Sequence, residues 1–142
     1  MVDAVVAIQG ANPASAARVV KELSTWVRRR DWDAILPAYA RCVRITRDLR
    51  QAYPVSPERF IEAAEKNLYH TLQSSQGVSR RPGSVEDFLQ AFLPLIPYIN
   101  NFFDKVLVMM EDETVRKNRL GLVQSVAALA DGVADMSRLE GF

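Results

Sequence analysis

The chain has 142 residues, of which 49% are hydrophobic and 25% are charged, a composition typical of a globular domain that buries its own core. Its formal net charge of +1 excludes a polycation that is basic along its whole length. No apolar run reaches the roughly 18 residues that span a bilayer. Because Met1-Val2-Asp3-Ala4 is not basic and Cys42 is the single cysteine, we expect a cytoplasmic protein with no signal peptide, disulfide or membrane partner.

Basic residues are concentrated in the first third of the chain. Residues 1–50 hold nine Lys and Arg against five Asp and Glu, a balance of +4, whereas residues 51–142 hold nine against twelve, a balance of −3. All nine basic residues of the first part lie between Arg18 and Arg50. A local basic face is typical of a phosphate-binding surface, and a solvated helix surface produces the same pattern.

Helical periodicity dominates the first 50 residues. Apolar residues at three- and four-residue steps predict a helix over residues 14–29, with Asn12 as a candidate cap. The same spacing predicts a second helix over residues 31–51, with Asp31 as its N-cap. Pro37 lies about two turns into this segment, so the helix either starts later or kinks there.

Cap residues and prolines mark the next two helices. Ser56 followed by Pro57 is typical of a helix start, and an apolar stripe continues from there to about Gln76. Residues 77–83 are polar and contain two glycines, which predicts a loop. Ser84 then caps another helix, whose first turn is acidic.

Two helices are predicted in the last third of the chain. Pro97 opens the helix that carries Phe102 and Phe103, and neighbouring side chains on a helix point about 100° apart. Both rings can be buried only if this helix lies between two others. Asp112 is expected to cap the last helix, which ends near Met136.

The run Val-Leu-Val-Met-Met at residues 106–110 is compatible with a strand or with a buried helix end, and its helical neighbours favour the helix end. No segment combines strand alternation with hairpin turns. The sequence therefore predicts an all-α bundle of about six helices, in a single domain over residues 1–142. Residues 1–30 are either part of this domain or a leading helix from a preceding region.

One ordered motif connects the chain to a known family. It reads Ile99-Asn100-Asn101-Phe102-Phe103-Asp104-Lys105-Val106-Leu107-Val108-Met109, then Asp112, then Arg116-Lys117-Asn118-Arg119-Leu120. This order of residues resembles the C-terminal, DALR-type anticodon-binding domain of the bacterial glycyl-tRNA synthetase β subunit. Weaker similarity extends upstream to Arg41 and Ile45 and to Leu68-Tyr69.

The resemblance implies a binding role in a larger ligase. The expected partners are glycine tRNA, the remainder of the β subunit and the α subunit, with no DNA partner. The ATP-dependent core that activates glycine belongs to the α subunit, so we expect no catalytic centre and no cofactor in this chain. Alternatives are the DALR-type domain of another synthetase, such as arginyl-tRNA synthetase, and a helical module that docks a protein on the region of Leu93, Leu95 and Ile96.

Arginines are the candidate RNA-binding residues. Arg41, Arg44, Arg47 and Arg50 recur at every third position, which places neighbours in the series close together on one polar helix face. With the Arg28-Arg29-Arg30 run they would place seven arginines near one edge of the bundle, where guanidinium groups suit phosphate. Together with two arginines of the motif, the candidates are Arg28, Arg29, Arg30, Arg41, Arg44, Arg47, Arg116 and Arg119.

Two alternatives stay open for these residues. Arg116 and Arg119 either contact RNA phosphate or pair with carboxylates and helix ends inside the fold. Trp26, Trp32 and Tyr39 lie near the arginines in sequence and serve either as stacking platforms for RNA bases or as core residues.

Overall fold

The computed structural model describes residues 13–131 and Val133, with side chains from Ala17 onward. Within this part of the chain there are six α-helices and no strand, which confirms the predicted all-α bundle. The proposed cap Asn12 lies outside the described residues. The helices are α1 (Pro13–Val27), α2 (Trp32–Thr46), α3 (Ala63–Gln76), α4 (Val85–Phe92), α5 (Ile96–Lys105) and α6 (Glu113–Ala127).

The helices surround a single hydrophobic core. Helix α2 packs against α5 and α6, α3 packs against α5, and α1 packs against α4. Trp26 of α1, Phe88 and Phe92 of α4 and Phe102 of α5 are each at most 1% exposed. Among the described residues, no helix is both long and apolar enough to cross a membrane.

Helix α5 lies between α2 and α3, as the adjacent phenylalanines predict. Phe102 is completely buried, while Phe103 is half-buried and packs on the edge of the core. The two rings meet edge to face with centroids 5.4 Å apart, an arrangement that aromatic rings favour. This position of α5 brings the recognised motif next to the arginine-rich helix α2.

Two predicted helix caps are confirmed. The Asp112 carboxylate accepts a hydrogen bond from the backbone N–H of Val115 at 3.1 Å, and the Ser84 hydroxyl accepts one from the backbone N–H of Asp87 at 3.1 Å. Both satisfy an N–H group that the first turn of a helix leaves without a backbone partner. Pro97 also lies in the first turn of α5, as predicted.

The prediction for the start of the third helix was wrong. Ser56 and Pro57 introduce only one 3-10 turn, Pro57–Arg59, and the long helix begins at Ala63. The Glu65 carboxylate accepts hydrogen bonds from the backbone N–H groups of Glu62 and Ile61, at 3.0 and 3.3 Å. This cap by Glu65 places the start of the helix six residues later than Pro57, where the proline pattern predicted it.

The second helix also differs from its prediction. It includes Pro37, which is exposed, and it ends at Thr46 instead of residue 51. Asp31 occupies the N-cap position but makes no capping hydrogen bond. Its carboxylate instead pairs with Arg29 at 2.9 Å, and this local ion pair replaces the cap.

The end of the last helix and the segment before it were predicted wrongly. Helix α6 ends at Ala127, and after one 3-10 turn the backbone becomes extended at Asp131, so that Val133 returns to the core. Met136, the predicted end, lies outside the described residues. Residues 106–110 form an irregular connector in place of a helix end, with Val106 and Val108 buried and Leu107 and Met109 exposed.

Candidate nucleic-acid interface

Three predicted arginines form a row on α2. Arg41 and Arg44 are exposed on the helix, and exposed Arg47 is its C-cap residue. Residues three apart on a helix have Cβ atoms about 5–6 Å from one another, so each arginine of this row is a neighbour of the next. Arg50 lies beyond the end of the helix. We call Arg41, Arg44 and Arg47 the arginine row.

Arg41 connects the arginine row to the motif on α5. Its guanidinium carbon lies 4.8 Å from the centre of the Phe103 ring, and its Nη1 lies 3.5 Å from the side-chain oxygen of Asn100. A guanidinium stacked on a ring keeps the donors at its rim available for other partners. The structure therefore holds Arg41 in an oriented, exposed position, a role for Asn100 and Phe103 that the sequence analysis did not predict.

The run Arg28-Arg29-Arg30 lies at the opposite end of α2. All three side chains are exposed, but the helix that separates them from Arg47 is about 22 Å long. Arg29 pairs with Asp31 and stacks on Trp26, with its guanidinium carbon 4.1 Å from the ring centre. The hydrogen bond from Arg29 lowers the pKa of Asp31. The seven arginines are thus divided into two groups and do not share one edge.

Arg119 lies inside the fold. It is 4% exposed, and its Nη2 lies 3.0 Å from the Oε1 of Glu65, which is 1% exposed. Its Nη1 donates to the backbone carbonyl of Leu107 at 2.7 Å. Because this guanidinium is covered and paired with a buried carboxylate, we do not retain Arg119 as an RNA contact.

Arg116 is half-buried and serves the same connector. Its Nη1 donates to the carbonyl of Met110 at 3.0 Å. The backbone carbonyls of an irregular segment have no partners in a helix or sheet. Side-chain donors can supply the missing hydrogen bonds. Arg116 and Arg119 therefore hold residues 106–110 against α6.

A second connector, residues 47–56 between α2 and the 3-10 turn, is held on α6 by amide side chains. The Asn118 side chain donates to the carbonyl of Ser56 at 3.1 Å and accepts from its N–H at 2.7 Å. Gln124 donates to the carbonyl of Gln51 and accepts from the N–H of Tyr53, both at 2.9 Å.

Gly121 lies between these two amides on α6. A Cβ atom at this position would lie 2.5 Å from the carbonyl oxygen of Tyr53. The spacing of Asn118, Gly121 and Gln124 at every third residue is a sequence signal for such a face, and the sequence analysis missed it.

The aromatic candidates for base stacking belong to the core. Trp26, Trp32 and Tyr39 are 1%, 7% and 7% exposed. Tyr39 meets the rings of Phe88 and Phe92 edge to face, with centroids 6.0 and 5.9 Å away. These three side chains cannot present a ring face to an RNA base.

Four further residues considered in the sequence analysis are also buried or partly buried. Leu95 is completely buried, and Leu93 and Ile96 pack against the core, so the proposed protein-docking region is not an open apolar surface. Cys42 is 1% exposed, and burial raises the pKa of its thiol to about 12. A thiol in this environment stays protonated and is a poor nucleophile.

These observations define the class of protein as an α-helical domain with an exposed row of arginines. Residues 35–134 match the family model of the DALR anticodon binding domain. The chain therefore belongs to the DALR anticodon-binding domain family, which confirms the resemblance seen in the motif.

Similar proteins carry the name of one enzyme. The chain is 36% identical over 141 residues to the glycine–tRNA ligase beta subunit of Citrifermentans bemidjiense, covering 97% of this chain and 20% of that protein. It is 31% identical over 142 residues to the corresponding subunit of Geotalea daltonii, covering 98% and 20%. It is 35% identical over 144 residues to the chloroplastic/mitochondrial glycine–tRNA ligase 2 of Arabidopsis thaliana, covering 100% and 14%. The chain thus spans a fifth or less of each relative.

Proposed function

We propose that this chain binds the anticodon region of glycine tRNA as one domain of a glycine–tRNA ligase. Membership of the DALR anticodon-binding family supports the RNA part of this proposal. The names of the relatives support the choice of glycine, and they favour a glycine enzyme over the arginyl alternative.

The observation that carries the proposal is the Arg41 guanidinium stacked over Phe103. Ordering a long side chain on binding costs free energy, and a guanidinium that is already held in place loses less freedom when a phosphate arrives. Arg44 and Arg47 extend the same charged surface along α2. The arginine row would therefore contact phosphates of the anticodon arm.

The proposed mechanism is positioning of the tRNA. Phosphate contacts fix the orientation of a nucleic acid on a protein, and a cytoplasmic ligase needs the acceptor end of its tRNA at a distant catalytic site. In this proposal the remainder of the β subunit and the α subunit supply the chemistry, with ATP.

Arg28, Arg29, Arg30 and Arg116 remain predicted RNA contacts.

Binding of glycine tRNA across a salt series tests the proposal. If three phosphates are neutralised, the logarithm of the binding constant should fall against the logarithm of salt concentration with a slope of about −2 to −3. A tRNA with a different anticodon arm is the matched control and should bind more weakly at each salt concentration. Affinity that does not change with salt, or equal affinity for both tRNAs, would contradict the proposal.

A further inference from the structure

A cleft lies between α6 and the connector of residues 47–56 that follows α2. It has a volume of about 200 Å³, and a cavity of roughly 150 Å³ holds a benzene ring. The residues that line it include Tyr53, Ser56, Arg59, Thr114, Lys117 and Asn118. We call this region the α6 cleft.

The walls of the α6 cleft are held in place by the fold. Asn118 and Gln124 make four hydrogen bonds to the backbone of Gln51, Tyr53 and Ser56. Gly121 allows the connector to lie directly on the helix. Because the cleft is already formed, a ligand would not have to order these segments when it binds.

The α6 cleft is positively charged. Arg59 and Lys117 are the charged residues that line it, and no carboxylate lines it. Lys117 contacts Glu113 four residues earlier on the same helix, at 2.6 Å, and the two side chains are 43% and 65% exposed. Exposed pairs of this kind contribute little to stability, so Lys117 can exchange this carboxylate for a phosphate.

An aromatic ring lies beside the lysine. The Lys117 ammonium nitrogen is 5.8 Å from the centre of the half-buried Tyr53 ring, so a cationic group and a ring line the same cleft. The Asn118 amide is already bonded to Ser56 on both its donor and its acceptor side. It forms the floor of the cleft and has little capacity left to read the edge of a base.

The α6 cleft is linked to the arginine row along the chain. The connector begins after Arg47, the last member of the arginine row, and reaches Tyr53 six residues later. Helices α2 and α6 pack against each other. The inferred path of the RNA would run from the arginine row along this connector to the cleft.

We infer that the α6 cleft takes one unpaired nucleotide of the bound RNA, with its base against Tyr53 and its phosphate between Arg59 and Lys117. This inference rests on the proposed function, because it assumes that RNA binds the arginine row. Stacking on a ring with cations nearby is how proteins hold single strands without reading their sequence. The cleft should consequently accept different bases.

Charge variants of the cleft test the inference. Arg59→Ala and Lys117→Ala would each be compared with the unmodified 142-residue chain, using an RNA hairpin with the anticodon stem-loop of a glycine tRNA and a continuous duplex of the same length. Each variant should weaken binding of the hairpin about fivefold and reduce its salt slope by about 1. Binding of the duplex should not change, and Lys117→Arg should restore most of the loss.

Exposed Lys21 on α1 provides the matched control, because Lys21→Ala removes one charge outside the α6 cleft. Thermal unfolding of all variants would verify that they fold. If Arg41→Ala weakens hairpin binding but Arg59→Ala and Lys117→Ala do not, the cleft is not used and the proposed function stands. Equal losses on hairpin and duplex would also overturn the inference. If the unmodified chain binds neither RNA, the proposed function fails and this inference fails with it.

Discussion

Arg41 and Arg119 show two opposite uses of the same side chain. Arg41 is exposed on α2 and rests on the face of Phe103. Arg119 is 4% exposed and pairs with Glu65, which is 1% exposed. Removal of the first would uncover one face of the Phe103 ring, whereas removal of the second would leave a carboxylate buried without its partner.

The difference shows that polar residues of the recognised motif have structural roles. Arg116, Asn118 and Arg119 stand in the recognised motif, and each of them holds a connector on α6 by hydrogen bonds. These motif residues therefore stabilise the architecture of the domain. The arginine row lies mostly outside that motif, and it contacts the motif through Arg41 and Phe103.

The largest effect is expected for the buried arginine. Arg119→Met should reduce the free energy of unfolding by about 3–5 kcal/mol, because the buried Glu65 carboxylate would lose its partner. Urea denaturation measures this value. Adding Glu65→Gln should recover part of the loss, since the amide oxygen can still accept from the Ile61 and Glu62 N–H groups. A loss below about 1 kcal/mol would mean that the pair is not buried as described.

The second largest effect is expected where the connector of residues 47–56 contacts α6. Gly121→Ala improves helix propensity by about 1 kcal/mol, but its Cβ would lie 2.5 Å from the Tyr53 carbonyl oxygen. Overpacking against backbone costs about 1–3 kcal/mol, so we expect net destabilisation in urea denaturation. The exposed alanine substitution Ser74→Ala on α3 serves as a control. Stabilisation by Gly121→Ala would show that the connector is not held this closely.

The exposed arginine should show the reverse pattern. Arg41→Ala should weaken binding of glycine tRNA about fivefold and lower the salt slope by about 1, while stability falls by no more than about 1 kcal/mol from the lost contact with Phe103. Filter binding and thermal unfolding measure the two effects. Arg41→Lys keeps the charge but not the planar stack, and an intermediate affinity is expected. Unchanged affinity together with a large loss of stability would assign Arg41 a structural role like that of Arg119.

The smallest effect concerns an exposed ion pair, and it shows how burial matters. Arg81 donates from Nε to Asp87 at 2.9 Å, and this hydrogen bond lowers the pKa of Asp87 to about 2. Because the folded-state pKa lies below the unfolded value of about 3.9, the pair stabilises the fold above that value, and this contribution disappears as the pH falls through about 2.

Asp87→Asn tests this dependence by urea denaturation at several pH values. The unmodified chain should be slightly more stable than the variant at pH 7, and the difference should vanish between about pH 4 and pH 2. Glu113→Gln, which removes another exposed carboxylate with a lowered pKa, is the comparison. A difference that persists below pH 2 would show that the substitution acts by a route other than charge.

Local chemistry explains which features could be predicted from the sequence. The caps at Ser84 and Asp112 depend on a side chain and an N–H three residues away, so their spacing in the sequence is sufficient. The start of α3 depends on the same kind of contact, between Glu62 and Glu65. There the Ser56-Pro57 pattern predicted a start that is too early, because the cap by Glu65 places the start at Ala63.

The candidate site could be predicted only in part. The exposure of Arg41, Arg44 and Arg47 follows from their spacing opposite the apolar face of α2. The burial of Arg119 depends on Glu65, 54 residues earlier in the chain, and no spacing rule connects the two. The division of the arginines into two groups depends on where α2 begins and ends, which is the least certain part of a helix prediction.

By itself, the sequence determined that this chain is helical and where several of its helices are capped, because these properties arise from periodicity and from contacts between near neighbours. The family was indicated by the resemblance of the ordered motif at residues 99–120. Tertiary structure alone decided which arginines face solvent and which hold connectors, because burial arises when α2, α5 and α6 pack together. It also decided that a charged cleft lies beside Tyr53, since that cleft exists only once residues 51–56 lie across α6.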